Sequence, residues 1–345
     1  MSQLDSLQIG DRVASYGHAY IIAEAGVNHN GDLEMAHELV TAAAASGADA
    51  VKFQTWVTDL ICAPGAKTAA YQRGSGGDDQ YSLLKRLELP FAWHRELQEH
   101  AHACGIEFLS TPDDAVSARF LADLGVPAIK VGSAELANLA HLRVIGKLQL
   151  PVILSTGMAS LADARRGVAA LVGVGAPAVA VLHCVSAYPA PEAEMNLAAL
   201  RALRVELDVP VGLSDHTDGT LAACVAVGVG MAIFEKHITL DRSLPGPDHR
   251  ASADPNEFAA TCALIRRAEI MVGSGEKRIT ASERDTNRAT RRVLVYVRSL
   301  SPGAVLMEAD LDARRTGGHG LDTEEADALI GRTLKREVSA AAPVQ

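Results

Sequence analysis

The sequence predicts a (β/α)8 barrel followed by a small β-rich domain, and three observations carry that expectation. From residue 20 to residue 272 one theme repeats eight times, an apolar β-type run followed by a segment with helical spacing. Eight such units over about 250 residues is the usual size of a barrel of this kind. Each apolar run also stops at a polar cluster, as expected where barrel strands reach a functional rim. An open, doubly wound sheet fits less well, because no G-x-G-x-x-G turn follows the first run.

Taken in order, residues 20–26 read as the first strand and 33–46 as its helix, with Leu33, Ala36, Leu39, Val40 and Ala43 at helical spacing. The next pairs are 49–55 with 91–104, 107–112 with 115–124, and 128–133 with 139–150. Then come 151–157 with 161–172, 178–186 with 197–207, 210–217 with 221–229, and 231–240 with 255–272. Gly47, Gly105, Gly125, Gly175 and Gly230 fall at or near the helix ends, where a left-handed cap favours glycine. One connection is long. Residues 56–90 have little periodicity and include Gly65 and the run Arg73-Gly74-Ser75-Gly76-Gly77, which suits either a lid over a site or a disordered insertion.

After Gly273 the pattern changes. Residues 276–291 mix charges closely, as a solvated linker does. Beyond them lie short β-like runs at 293–297 and 304–306, a Ser301-Pro302-Gly303 turn and a Gly-rich segment after Arg314 and Arg315. The domains expected are therefore a barrel over 1–275, a linker over 276–291 and a small β-rich domain over 292–345. A domain that small has little core of its own and is expected to lean on another surface.

Composition bounds the function. Hydrophobic residues are 48% and charged residues 21%, ordinary globular usage. A net charge of −10 argues against a general nucleic-acid binder. No apolar run reaches the roughly 18 residues of a membrane span, and residues 1–11 lack a signal-peptide pattern. Five scattered cysteines with no C-x-x-C pair fit a reducing compartment, so a cytoplasmic protein is expected.

The strand ends hold the chemistry. Glu24 and Asn28 follow the first strand, Lys52 and Gln54 lie on the second, and Ser110 and Thr111 end the third. Lys130 and Ser133 belong to the fourth, Ser155 and Thr156 to the fifth, and His183, Ser186 and Tyr188 to the sixth. The last two contribute Ser214, His216, Glu235 and His237. Side chains alternate along a strand, so Lys52 and Gln54 share a face, as do Ser214 and His216, and Glu235 and His237. A lysine within an apolar strand needs an anion. Two of them, with hydroxyl donors around, describe a phosphate or carboxylate pocket; internal carboxylates are the plainer alternative. His216 and His237, on neighbouring strand ends, suit a catalytic divalent metal. Glu24 and Glu235 are available for proton transfer. A Lewis acid beside an anionic substrate serves carbon–carbon bond formation as well as hydrolysis.

Several blocks resemble the sialic acid synthase family in the same order: Ile22-Ala23-Glu24-Ala25-Gly26-Val27-Asn28-His29-Asn30-Gly31-Asp32, Val51-Lys52-Phe53-Gln54-Thr55, Lys130-Val131-Gly132-Ser133, Leu154-Ser155-Thr156-Gly157-Met158, Gly212-Leu213-Ser214-Asp215-His216-Thr217, Glu235-Lys236-His237 and Gly246-Pro247-Asp248. The tail resembles that family's C-terminal antifreeze-like (SAF) domain, with a variant of its Arg-Pro-Gly motif at Arg315. The resemblance implies condensation of phosphoenolpyruvate with an N-acylated hexosamine, N-acetylmannosamine or a 2,4-diacetamido sugar, giving a nonulosonic acid and phosphate with C–O cleavage.

By the same resemblance His216 and His237 hold the metal, Mn2+ foremost, with Mg2+ or Co2+ also fitting. Lys52, Thr111, Lys130, Ser133, Ser155 and Ser214 bind phosphoenolpyruvate, and Gln54, Tyr188, Glu235 and Asp248 hold the amino sugar. Ser186 stands where some members place Asn near phosphoenolpyruvate. The family's homodimer, in which each small domain covers the partner's barrel, makes Arg315 a substrate-site residue, although Thr316 replaces the family's Pro and Arg314 could serve instead. Residues 246–252 resemble the neuraminate and legionaminate branches more than the pseudaminate branch. Competing readings are a metal aldolase or another phosphoenolpyruvate-condensing barrel, and a sugar-binding barrel without chemistry. The Asp215-His216-Thr217 block and the tail domain weigh against the first, and the intact set of Glu24, Lys52, Lys130, His216 and His237 against the second.

Overall fold

The computed structural model describes residues 6–67 and 79–345. The chain divides into two compact units, Met1–Ser274 and Gly275–Gln345. The first opens with a hairpin of β1 (Ser6–Ile9) and β2 (Arg12–Ser15), paired antiparallel. Eight parallel strands follow: β3 (Tyr20–Gly26), β4 (Ala50–Thr55), β5 (Glu107–Pro112), β6 (Ile129–Val131), β7 (Val152–Ser155), β8 (Val179–Cys184), β9 (Val211–Asp215) and β10 (Ile233–His237). Their hydrogen-bonded order is β5-β4-β3-β10-β9-β8-β7-β6, so first and last strands pair and the sheet curls on itself. β5 and β6 lie side by side and complete the ring. This is the (β/α)8 barrel that the repeated pattern predicts.

The helices between strands are α1 (Leu33–Ala45), α4 (Phe91–Ala103), α5 (Ala115–Leu124), α6 (Leu139–Gly146), α7 (Leu161–Val172), α8 (Ala199–Leu207), α9 (Leu221–Val229) and α10 (Pro255–Val272). Their starts are chemically marked: Asp32, Asp114, Ser160 and Asp254 accept hydrogen bonds from first-turn amides. Gly125 and Gly230 close α5 and α9 in the left-handed conformation. Strands come out shorter than the apolar runs, because the rim residues have already turned. Ser133 opens a 3-10 turn over Ser133–Ala137 rather than ending a strand. α6 stops at Gly146, short of residue 150.

The long connection is partly built. Helices α2 (Thr58–Ile61) and α3 (Gln80–Leu87) lie within it, and Leu83 and Leu87 bury against Trp56 and Val27. Asp79 caps α3 through the Ser82 amide. The Gly-rich run at 73–77 lies outside the described residues.

The barrel's two layers use opposite faces of each strand. Outward residues such as Ile21, Val51, Phe53, Phe108 and Phe234 pack with the helices in the main core. Inward residues near the N-terminal ends, including Tyr20, Ile22, Ala50, Leu109 and Ile153, pack with Leu7, Ile9 and Ala14 of the hairpin. The hairpin thus plugs the end of the barrel away from the polar rim, a feature that the sequence reading did not anticipate. Asp49 anchors that end, accepting from the Ile21 amide and pairing with Arg12 and Arg266.

In the second unit, residues 276–291 are not extended linker throughout. They contain a 3-10 turn, Ala281–Glu283, and α11 (Arg284–Thr290), with no buried side chain in either. β11 (Arg292–Tyr296) and β12 (Leu311–Arg315) pair antiparallel. The run at 304–306 forms only an isolated bridge, Val305 to Thr333, not a strand. The core is small: Leu294, Tyr296, Leu300, Leu306, Val338 and Val344.

Two buried histidines make the barrel acid-sensitive. His29 and His94 are fully buried, and burial pulls both pKa values down to about 4. His94 Nε2 sits 2.7 Å from Thr55 Oγ1, and Thr55 bonds to Ser110. In the unfolded chain a histidine titrates near 6.5. Protons therefore enter the unfolded state first, so stability is intact above pH 6.5 and is lost as pH falls toward 4, by up to about 3 kcal/mol per histidine. In urea unfolding between pH 7.5 and 5, His94→Gln should lose stability less steeply than the parent chain. Parallel pH profiles would show that His94 is not a contributor.

Candidate active site

A cavity of ≈ 450 Å³ opens at the C-terminal strand ends, lined among others by Glu24, Lys52, Lys130, Glu235, His216 and His237. Strand alternation brings them together. Register pairs Glu24 with Lys52, opposite charges on adjacent strands, and His237 with Glu24.

Its floor is a closed ionic lattice. Lys52 Nζ pairs with Glu24, lies 3.8 Å from Glu235 Oε2 and donates to Thr111 Oγ1 at 3.0 Å. Lys130 Nζ lies 3.3 Å from Glu235 Oε1 and donates to Ser155 Oγ at 2.8 Å. Ser214 Oγ donates to Glu235 Oε1 at 2.9 Å, and Gln54 Nε2 to Glu24 Oε1 at 3.1 Å. The four residues are at most 4% exposed. Two ammonium groups and two carboxylates are thus matched internally, the plainer of the two arrangements that the strand lysines allowed.

The two carboxyl groups differ. Burial, reinforced by the Glu235 charge and opposed by Lys52, raises Glu24 to about 7. Burial also works against the Glu235 carboxylate, but Lys130 and Lys52 outweigh it and hold that pKa well below the usual range. Environments that push two carboxyls apart separate a proton carrier from a fixed charge.

Beside this lattice the lining is aromatic and imidazole. The His216 and His237 rings stand 5.4 Å apart, and Tyr188 lies 4.3 Å from His216 and 5.9 Å from His237, centroid to centroid. His216 Nδ1 lies 2.9 Å from the Val185 carbonyl and donates there, which leaves Nε2 as the nitrogen for a ligand. Burial opposes a charge on the ring, but Cys184 and the Val185 carbonyl outweigh it and raise its pKa. His237 Nδ1 is buried without a hydrogen-bond partner, 3.8 Å from Asp248 Oδ2. Burial and the neighbouring His216 charge lower the His237 pKa far below the ordinary value, which keeps the ring neutral. An orphaned nitrogen on a neutral imidazole, a second imidazole held through its Nδ1 and a nearby carboxylate form a donor set that fits a divalent metal. Among the described residues no three His, Cys, Asp or Glu side chains already converge as a cage, so water or substrate oxygens would complete the coordination.

Ser133 and Ser186 meet across Gly157. Ser133 Oγ accepts from the Gly157 amide at 2.9 Å. A Cβ on Gly157 would stand 2.2 Å from Ser186 Oγ and 2.8 Å from Ser133 Oγ, so only glycine fits between them.

Not every rim residue enters the cavity. His183 turns away, its Nε2 2.6 Å from the Met195 carbonyl. Thr156 donates to the Leu182 carbonyl and Ser110 joins the outward Thr55–His94 network. Asn28 braces the rim, donating to the Ile238 carbonyl and Ser252 Oγ. Lining residues that went unread in the sequence include Asp113, Glu135 and Cys184, whose Sγ lies 3.8 Å from His216 Nδ1. Burial and the Glu135 charge raise Asp113 to about 7. Asp113 and Glu135 each lie past a strand end, where alternation no longer decides which way a side chain faces. The connection also reaches the cavity through Ile61, Cys62, Gln80 and Leu84.

Arg315 belongs to the second unit, as the exposed last residue of β12, ahead of a loop closed by Thr316 and His319. Arg314 Nε is 3.1 Å from Asp312 Oδ2.

Comparison with known proteins decides the family. Residues 39–277 match the NeuB family and residues 291–345 the SAF domain. The chain belongs to the NeuB family. It is 42% identical to the N,N'-diacetyllegionaminic acid synthase of Legionella pneumophila over 93% of this chain and 92% of that one. Identity to the Campylobacter jejuni enzyme of the same name is 40%, covering 90% and 94%. The N-acetylneuraminic acid (sialic acid) synthetase of Leptospira borgpetersenii superposes with a TM-score of 0.73 at 31% identity, over 82% of this chain and 95% of that one. This NeuB chain is accordingly an enzyme of nonulosonic acid synthesis, and the cavity at its strand ends is the candidate for its active site.

Gly157→Ala tests how closely the two serines matter. The new methyl group must displace both hydroxyls and comes within 3.2 Å of Cys184 Sγ. One or two hydrogen bonds to a charged ligand are worth about 1.5–3 kcal/mol each, so kcat/KM should fall roughly ten- to hundred-fold with the melting curve little changed. Wild-type kinetics in that variant would remove Ser133 and Ser186 from the site.

Proposed function

We propose that this NeuB enzyme condenses phosphoenolpyruvate with an N-acylated amino sugar in a metal-dependent reaction, releasing phosphate and a nonulosonic acid. The observation that carries the reading is the pair of buried lysines on separate strands, each beside hydroxyl donors, in one cavity with two imidazoles. Lys52 and Lys130, with Thr111, Ser133, Ser155, Ser186 and Ser214, bind the phosphate and carboxylate of phosphoenolpyruvate. Gln54, Tyr188, Glu235 and Asp248 orient the sugar. A divalent metal on His216 and His237, Mn2+ foremost and Mg2+ or Co2+ also suited, supplies Lewis acidity toward the acceptor's carbonyl oxygen when bound.

The nucleophile is C3 of phosphoenolpyruvate, which forms the new carbon–carbon bond to the aldehyde carbon of the open-chain sugar. Glu24, titrating near neutrality, carries the proton that the new hydroxyl requires. Water adds at C2, and C–O cleavage then expels phosphate and leaves the keto acid. Glu235 stays ionised and holds both lysines. The identities to N,N'-diacetyllegionaminic acid synthases support a diacetamido hexose as acceptor; the structural relative supports N-acetylmannosamine as the second candidate.

A phosphate-release assay with phosphoenolpyruvate and either N-acetylmannosamine or diacetamido hexoses, with product mass read out, distinguishes them. The expected result is fastest turnover on a diacetamido hexose, abolished by a chelator and restored by Mn2+. No phosphate with any acceptor, or undiminished activity after metal removal, would overturn the corresponding part of the reading.

The reading includes a homodimer in which the SAF domain serves the partner's site through Arg315. Its support is a second unit with a very small core, carrying an exposed arginine beside a Gly-rich loop. Arg315→Ala chains mixed with Lys52→Met chains should regain activity as subunits exchange, since one site per heterodimer then has both parts. Proven heterodimers without recovery would assign Arg315 to its own barrel or to no site.

A further inference from the structure

We propose that Lys236 and Asp215 are positioning residues that hold His216 for a divalent cation, an inference that rests on the metal reading above. They lie one residue off the site. Ser214, His216, Glu235 and His237 line the cavity, so alternation turns the residues between them, Asp215 and Lys236, outward into the helix layer. There they are 1% and 2% exposed. They are also register partners on β9 and β10.

Their hydrogen bonds converge on the turn that carries His216. Lys236 Nζ donates to Asp215 Oδ2 at 2.9 Å and to the Thr217 carbonyl at 2.6 Å. Asp215 Oδ1 accepts from the Thr217 amide at 2.9 Å and from its hydroxyl at 2.8 Å. Residues 215 and 217 are therefore tied together, and both to the next strand, with His216 between them. The Val185 carbonyl fixes the ring, and this knot fixes the backbone from which the ring projects. His237 has no hydrogen bond at Nδ1. It follows Lys236 in the chain, so one ammonium group couples the strand positions of both imidazoles.

Stability alone does not account for such a pair. Taking two charges out of water largely offsets their attraction, and apolar residues of similar size often serve as well. An apolar pair could not satisfy the Thr217 amide, hydroxyl and carbonyl at once. Groups that support metal ligands from behind contribute about ten- to hundred-fold to metal affinity.

The test is Mn2+ affinity, measured by titration calorimetry on chelator-stripped full-length protein, with folding checked by circular dichroism. Wild type should bind Mn2+, and His216→Ala should not. Lys236→Met should remain folded and bind roughly ten- to hundred-fold more weakly. Thr217→Val keeps both charges and removes only the hydroxyl bond; it should weaken binding in the same direction and decides the matter if Lys236→Met does not fold. Folded variants that bind Mn2+ as wild type does, whatever their melting temperatures, would reduce Lys236 and Asp215 to a structural ion pair. Wild type that fails to bind Mn2+ would overturn the metal reading, and this assignment with it.

Discussion

The charge lattice at the barrel mouth is the constraint on which the rest depends. Glu24, Lys52, Glu235 and Lys130 come from four different strands, and none would be tolerated alone at such depth. Each is acceptable only because another strand, adjacent for Glu24 and Lys52 and across the barrel for Lys130 and Glu235, delivers the opposite charge at the right height. That requirement fixes register across β3, β4, β6 and β10, since a one-residue slip would turn each charge into the helix layer. The lattice therefore specifies the barrel's alignment as well as its chemistry. It also explains why two glutamates of the same type behave differently: Glu235 stands between two ammonium groups, whereas Glu24 has one and faces the Glu235 charge.

Much of this was legible because alternation is a strict rule. Lysines at 52 and 130 interrupt apolar runs, and period-two spacing puts Gln54 on the face of Lys52, His216 on that of Ser214 and His237 on that of Glu235. The order of barrel elements follows from the same periodicity. The parts that escaped have physical reasons. The N-terminal hairpin is two strands of four residues, too short for a pattern to stand out, and its burial comes from a barrel end built by distant residues. Helices α2 and α3 are brief and lie in polar surroundings, so their spacing carries little signal. Asp113 and Glu135 fall just beyond strand ends, where the chain bends and alternation no longer decides where a side chain faces.

Rim residues that do not enter the cavity have a shared role. Ser110, Thr55 and His94 form one outward network, Asn28 ties the first rim turn to residues 238 and 252, and Thr156 closes onto β8. Polar residues at strand ends thus divide into those that meet a ligand and those that hold the turns presenting them. Sequence alone does not separate the two classes, since both are short polar side chains at the same point in each repeat. The turn after each strand makes the division, because it sets which way the last side chain points.

The barrel also separates its requirements along its axis. At the N-terminal end the hairpin seals a dry interior of Ile22, Leu109, Ile153 and their neighbours, and Arg12 and Arg266 meet Asp49 at the perimeter. That end meets the demands of stability with ordinary apolar packing. It leaves the C-terminal end free to hold groups that are poor choices for stability: buried like charges, a proton-sharing carboxyl and an imidazole nitrogen with no partner. Such groups persist only where the surrounding structure over-determines their positions. Hydrogen-bonded strands supply that rigidity from below and the outward polar networks supply it from the side. The cavity can then be electrostatically demanding without loosening the fold that forms it.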